Sequence, residues 1–247
     1  MEQITSVNNN QIKYYNSLHQ KKNRDTENLY LVEGAHLVEE AFKLGLLDTV
    51  ISSDIEVFND YKDIKHIYVT DAIINKLSTT ATPQKLIGVV RKNQSAFQLN
   101  DKMIILDGVS DPGNVGTIIR TSLALGVDTI ILSSEAIDLY NEKLIRATQG
   151  AFYQAHLYQM DLSKLYSLLK EKGIPLIATS LKANTNINEL PKLSKYALCM
   201  GNEANGISKV TEANATYSVI IPLQNNIESL NVATSHAIIL YKLEGSK

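Results

Sequence analysis

A chain of 247 residues with 44% hydrophobic and 20% charged side chains can bury a core in one large or two modest domains, which excludes a disordered polymer. A net charge of -2 and a single cysteine, Cys199, exclude a uniformly basic surface and an internal disulfide framework, and leave a local basic patch open. No apolar run is long enough to span a bilayer and the opening residues lack the apolar core of a signal peptide, so a cytoplasmic protein without membrane partners is expected.

Residues 1–94 read as a small α/β unit. Asn8–Asn10 precede a helical pattern that carries Ile12, Tyr15 and Leu18 on one face. Lys13, Lys21, Lys22 and Arg24 form a local basic cluster, which fits either a solvated helix end or a phosphate-facing patch. Leu29–Val32 predicts a short strand, and Gly34 opens a helix through Leu44 that Gly45 closes. Val50–Ser52 and His66–Val69 predict further strands. Thr70 is placed to cap a helix over Asp71–Leu77, and Leu86–Val90 is the last strand of the unit.

Residues 95–102 are polar, without apolar periodicity, and predict a linker. The pattern restarts over 103–247. Strand Met103–Leu106 leads through a Pro/Gly loop into helix Val115–Leu125, then Gly126 and strand Thr129–Leu132. Helix Glu142–Ala147, strand Ala155–Tyr158, helix Leu162–Lys172 and strand Pro175–Thr179 follow. Strands Tyr196–Met200 and Tyr217–Ile221 precede a last helix over Leu230–Leu243. Short apolar strands alternating with helices predict an α/β fold with a mostly parallel sheet covered on both faces.

Three blocks at predicted strand ends carry chemistry-bearing residues. The first is Asp111-Pro112-Gly113-Asn114-Val115-Gly116, with Arg120 beyond it. Asn114 suits either a helix N-cap or a ligand contact. Arg120 lies in an apolar run where an unpaired buried guanidinium would be costly, so an anionic partner or a cleft is expected. The second block, Gly201-Asn202-Glu203-Ala204-Asn205-Gly206-Ile207, brackets an acid between glycines, which fits a solvated loop or a close backbone approach to a ligand. The third runs from Ile221-Pro222-Leu223 to Glu228-Ser229-Leu230-Asn231-Val232, where Ser229 or Asn231 can cap the last helix. No G-x-G-x-x-G and no G-x-S-x-G occurs, and the histidines and the cysteine show no metal-ligand spacing, so no metal is expected.

In this order the three blocks resemble the motifs of the SpoU/TrmH family of RNA ribose 2'-O-methyltransferases, over roughly residues 103–243. The resemblance implies a knotted SPOUT domain, its C-terminal segment tucked through a loop as a deep trefoil, against the usual rule that chains are unknotted. It implies S-adenosylmethionine as cofactor, cradled near Thr179, Met200, Gly201, Ile221, Leu223 and Leu230. It implies a homodimer with each active site built across the interface. Asn114, Arg120, Glu203, Ser229 and Asn231 fall on the motifs' polar positions and are the implied catalytic set. In that set Arg120 stabilises the developing alkoxide or serves as the base, and Glu203 positions arginine or loop amides. Two residues depart from the pattern: Asn225 stands where many relatives carry glycine, and Leu223 replaces a frequent methionine.

The first unit is similar to the L30e-like extension of many such enzymes, on Ile4-x-Ser6-x-x-Asn9 and Val32-Glu33-Gly34. That likeness implies RNA binding, with Lys13, Lys21, Lys22 and Arg24 as phosphate contacts, and favours large-subunit (23S) ribosomal RNA over tRNA. Two other functions compete. One is a non-catalytic RNA-binding assembly protein, against which the intact polar set speaks. The other is a small-molecule enzyme on an ordinary doubly wound sheet, against which the missing glycine fingerprint speaks.

Overall fold

The computed structural model describes residues 1–93, 96–181, 183 and 185–245. The chain separates by its internal contacts into Met1–Ala96 and Phe97–Lys247. The expected boundary between residues 94 and 95 lies outside the described residues. Phe97 and Leu99, from the stretch expected as linker, pack half-buried against a core cluster of the second unit.

The first unit runs β1 (Glu2–Ile4), α1 (Asn10–Ser17), α2 (Lys21–Glu27), β2 (Leu29–Glu33), α3 (Ala35–Lys43), β3 (Leu47–Ser52), β4 (Lys65–Val69), α4 (Asp71–Leu77) and β5 (Leu86–Arg91). Its strands form one mixed sheet in the order β1-β4-β3-β5-β2, with β5 antiparallel to both neighbours. The Asn9 side chain accepts from Gln11 N at 2.8 Å and starts α1, which buries Ile12 and Tyr15. Gly45 follows α3 at φ +67°, a left-handed position that glycine takes without strain. Thr70 occupies the N-cap of α4, but its hydroxyl makes no capping bond, contrary to expectation.

Helix α2 was not legible in the sequence, because Lys-Lys-Asn-Arg-Asp-Thr-Glu carries no apolar stripe. It is held instead by Arg24, which is 5% exposed. Its Nη1 donates to the carbonyls of Leu18 at 2.9 Å and His19 at 2.7 Å. Those carbonyls lie just beyond α1, where helix-end carbonyls need donors from outside the helix, and the guanidinium donates to both. This placement is at odds with Arg24 as a phosphate contact. Lys13, Lys21 and Lys22 lie on the surface, with Lys21 in an exposed ion pair to Asp25 at 3.9 Å.

The second unit runs β6 (Lys102–Asp107), α5 (Pro112–Ala124), β7 (Thr129–Ser133), α6 (Glu142–Thr148), β8 (His156–Met160), α7 (Leu162–Glu171), β9 (Leu176–Thr179), β10 (Thr185–Asn186), β11 (Tyr196–Gly201), α8 (Lys209–Asn214), β12 (Tyr217–Ile220) and α9 (Val232–Glu244). Its sheet has the order β10-β12-β9-β11-β6-β7-β8, and every pairing is parallel. The apolar strands alternate between two cores. Ile104, Leu106, Leu198 and Met200 join one cluster with Val115, Ile118, Leu144 and Ile239 of α5, α6 and α9. Met103, Ile105, Ala197 and Cys199 join the other, with Leu162, Leu165 and Leu169 of α7. Burial on both faces explains why these strands read as unbroken apolar runs.

From β6 the chain builds outward through β7 to β8, then crosses to β9 on the far side of β11. The direction of strand order thus reverses around β6 and β11. In open parallel sheets the crevice at such a switch point, at the carboxyl ends of the strands, is where ligands bind. The other end is fastened by Glu244 near the end of α9, which accepts from Tyr196 Oη and from Lys102 Nζ, both at 2.8 Å. Among the described residues no helix is long and apolar enough to cross a membrane, and no group of three His, Cys, Asp or Glu gathers as a metal site.

Candidate active site

A cleft of about 530 Å³ opens at the carboxyl ends of β9, β11 and β12. Thr179, Met200, Gly201, Ile221, Leu223 and Leu230, the six residues expected to cradle a methyl donor, all line it. Glu203, Ser229 and Asn231 line it too. Ser180, Glu212, Ser235 and Ile239 are among the further lining residues and were not foreseen, since they lie between or beyond the motifs. The lining mixes apolar side chains with exposed backbone, and the volume lies within the roughly 300–1,000 Å³ typical of small-molecule sites. A side chain at Gly201 would overlap the backbone of Gly206 and Ile207, so only glycine lets that loop close against the strand end. The Thr179 hydroxyl donates to Cys199 O at 3.1 Å, which spends its proton inside the sheet.

Asn231 is the N-cap of α9. Its Oδ1 accepts from Ala233 N at 2.9 Å and Thr234 N at 3.3 Å. Its Nδ2 must then face away from the helix, and it donates to Asn114 Oδ1 at 2.9 Å. Asn114 Nδ2 in turn donates to Glu203 Oε1 at 2.9 Å. One hydrogen-bonded row therefore joins the three sequence blocks, and each amide's orientation follows from its neighbour's. Asn114 is free for this because Asp111, not Asn114, caps α5: Asp111 Oδ1 accepts from Asn114 N at 2.8 Å, and Pro112 takes the first helical position. The helix starts three residues earlier than the apolar pattern suggested. Among the described residues Glu203 is held by Asn114 and by no arginine or loop amide. Ser229 stands exposed at the rim.

Arg120 differs from the expectation. It is exposed, with no hydrogen-bond or ion-pair partner among the described residues, and it does not line the cleft. Val115, Ile118, Ile119 and Ser122 turn inward from α5, while Gly113, Thr117, Arg120 and Ala124 face out. The apolar run was a helix with two faces. Six positions beyond Asn114, Arg120 sits about 9 Å further along the axis. Asn225, where glycine was the common choice, adopts φ +59°, which asparagine tolerates better than most residues.

Parallel sheet, switch-point cleft and the Asn231–Asn114–Glu203 row define the class. It is an RNA methyltransferase of the SPOUT fold. The SpoU rRNA Methylase family profile matches residues 101–241, and an MRM3-like substrate binding domain matches residues 9–88. The chain belongs to the SpoU rRNA methylase family. It is 33% identical to the 23S rRNA (guanosine(2553)-2'-O)-methyltransferase RlmP of Bacillus subtilis, over 99% of this chain and 100% of that protein. An AdoMet-bound rRNA methyltransferase from Sinorhizobium meliloti superposes with a TM-score of 0.87 at 28% identity, covering 98% of this chain and 97% of the other. An RNA 2'-O ribose methyltransferase superposes at 0.82, with 27% identity and coverage of 98% and 97%.

Proposed function

We propose that this protein methylates a ribose 2'-hydroxyl of 23S ribosomal RNA, using S-adenosylmethionine held in the cleft between β9, β11 and β12. The observation that carries the reading is the hydrogen-bonded row from Asn231 through Asn114 to Glu203, at the mouth of a cleft lined by all six expected donor positions. The cofactor supplies an activated methyl group on a sulfonium sulfur. Met200, Ile221, Leu223 and Leu230 offer apolar surface for an adenine ring, and the Gly201–Gly206 loop offers backbone at close range.

A ribose hydroxyl is a poor nucleophile until its proton is taken or shared. Asn114 and Ser229 orient the hydroxyl, and Glu203 and Asn231 fix Asn114. Arg120 stabilises the developing alkoxide and the adjacent phosphate. Because Arg120 stands away from its own chain's cleft, it serves the cleft of a second copy, and the enzyme works as a homodimer with composite sites. Lys13, Lys21 and Lys22 of the first unit, an L30e-like RNA-binding domain, contact phosphates. The C-terminal segment is knotted, the stretch before β6 is the linker between the units, and the enzyme acts in the cytoplasm.

The relatives support ribosomal over transfer RNA: RlmP of Bacillus subtilis acts on 23S rRNA. The reading is tested with tritiated S-adenosylmethionine and RNA from a strain lacking the gene, fractionated by size. Label in 23S RNA is expected. Label in tRNA alone would overturn the substrate, and no label in any fraction would favour a non-catalytic assembly role.

A further inference from the structure

We infer that Asp107, with Thr211 as its partner, is the positioning residue of the active-site loop, acting from behind the cleft. This rests on the reading of the cleft as the methyl-donor site. Asp107 ends β6 and pairs in register with Gly201, the last residue of β11. It belongs to none of the polar positions described above, yet its side chain is buried at 7% exposure.

The loop between β11 and α8 is tied together by its own hydrogen bonds and anchored at both ends. Asn202 and Gly206 exchange backbone hydrogen bonds, both at 2.9 Å. Asn202 Oδ1 accepts from Ala204 N and Asn205 N at 3.0 Å, while its Nδ2 donates to Gly108 O at 2.8 Å. That ties the near end of the loop to the residue after Asp107. The far end returns to Asp107 itself. Oδ2 accepts from Ser208 N at 2.7 Å and from Thr211 Oγ1 at 2.6 Å.

Thr211 is fully buried and has one hydroxyl proton, which faces the carboxylate. Tyr166 Oη, 2.6 Å away, must therefore donate to Thr211. A directed chain, Tyr166 to Thr211 to Asp107, thus fixes the carboxylate from the α7 side. One oxygen sets where the loop carrying Glu203 closes, and with it the distance from Glu203 to Asn114. A buried carboxylate is a weak device for stability alone, because well-packed apolar side chains often serve a core as well or better. Positioning is the role that its partners support.

The test measures S-adenosylhomocysteine binding by titration calorimetry on the whole protein. Thr211→Val keeps the shape and removes the hydroxyl, and it should raise Kd about tenfold, the equivalent of one hydrogen bond to a charged group. Thr211→Ser should restore Kd to within about threefold of wild type, since the hydroxyl returns. Leu169→Ala opens the same core cluster at the far end of α7; it should lower Tm and leave Kd unchanged. Should Thr211→Val fail to fold, Asp107→Asn is compared in its place and should weaken binding as much. Equal Kd for wild type and Thr211→Val, or equal weakening by Leu169→Ala, would overturn the inference. Wild-type protein that binds no S-adenosylhomocysteine would overturn the donor-site reading instead.

Discussion

At the scale of residues, the site is a row of amides whose directions are forced. Asn231 must spend Oδ1 on its helix, so its Nδ2 reaches Asn114, whose own Nδ2 then reaches Glu203. Two substitutions separate the parts of this row. Asn231→Ala removes a helix cap as well as a contact, and should cost about 1 kcal/mol in denaturant melts besides lowering methyl transfer. Asn114→Asp sets a second carboxylate against Glu203; it should lower kcat about a hundredfold, the scale of a misplaced reacting group, with a much smaller loss of stability. Equal kcat for wild type and Asn114→Asp would remove Asn114 from the mechanism. The sequence made the identities of these residues legible through their motifs, but not their partners. Asn114 looked like a cap because asparagine caps well and stands just before the apolar run from Val115, whereas Asp111, three residues earlier, takes that role. Arg120 looked buried because Ile118 and Ile119 precede it in the line of the chain, whereas on the helix they face the other way.

At the scale of elements, α5 is fixed by close packing on one neighbour and a polar pin on another. A Cβ on Gly116 would lie 2.5 Å from Ala147 Cβ and 2.9 Å from its carbonyl carbon, so α5 and α6 touch through the missing side chain. Gly116→Ala gains up to about 1 kcal/mol of helix propensity, but overpacking against α6 costs roughly 1–3 kcal/mol. Net destabilisation is expected in thermal melts, and a raised Tm would refute the tight contact.

The pin to α9 is Ser122 with His236. Ser122 Oγ donates to Ile118 O at 2.8 Å, so at 3.1 Å it can only accept from His236 Nε2, which fixes the neutral tautomer. Burial holds the imidazole down at about 4. A depressed folded-state value means that the unfolded chain binds the proton first. This residue therefore leaves stability unchanged above about pH 6.5 and reduces it as pH falls, by about 2 kcal/mol at pH 5. His236→Gln should flatten the fall in Tm between pH 7 and pH 5; an unchanged slope would mean that His236 is not the group responsible. The central strands of the second unit, β6, β7 and β11, were legible because burial on both faces leaves them almost entirely apolar. β1, α2, β10 and α8 were not. Each is short, and none carries an apolar period: α2 depends on one buried arginine, and α8 buries only Thr211.

At the scale of the molecule, the proposed enzyme joins a cleft within one chain to an arginine supplied by a second copy. The cleft could be anticipated from three separated blocks, because strand order at a switch point brings their loops together. The proposed second copy could not be read from composition, since nothing in it marks Arg120 as unpartnered. Mixing inactive Arg120→Ala and Asn114→Ala proteins tests the composite site. Each mixed dimer holds one intact site of two, and mixed dimers make up half the population, so about a quarter of wild-type activity should return. No recovery after subunit exchange would place Arg120 and Asn114 in the same chain's site. The measurement that reaches the central claim most directly is the chemical position of the transferred methyl. 23S RNA methylated by this protein would be digested and the labelled nucleosides identified by mass. The account predicts one nucleotide carrying its methyl on the ribose 2'-oxygen, and none after treatment with Arg120→Ala. Label on a base would contradict it.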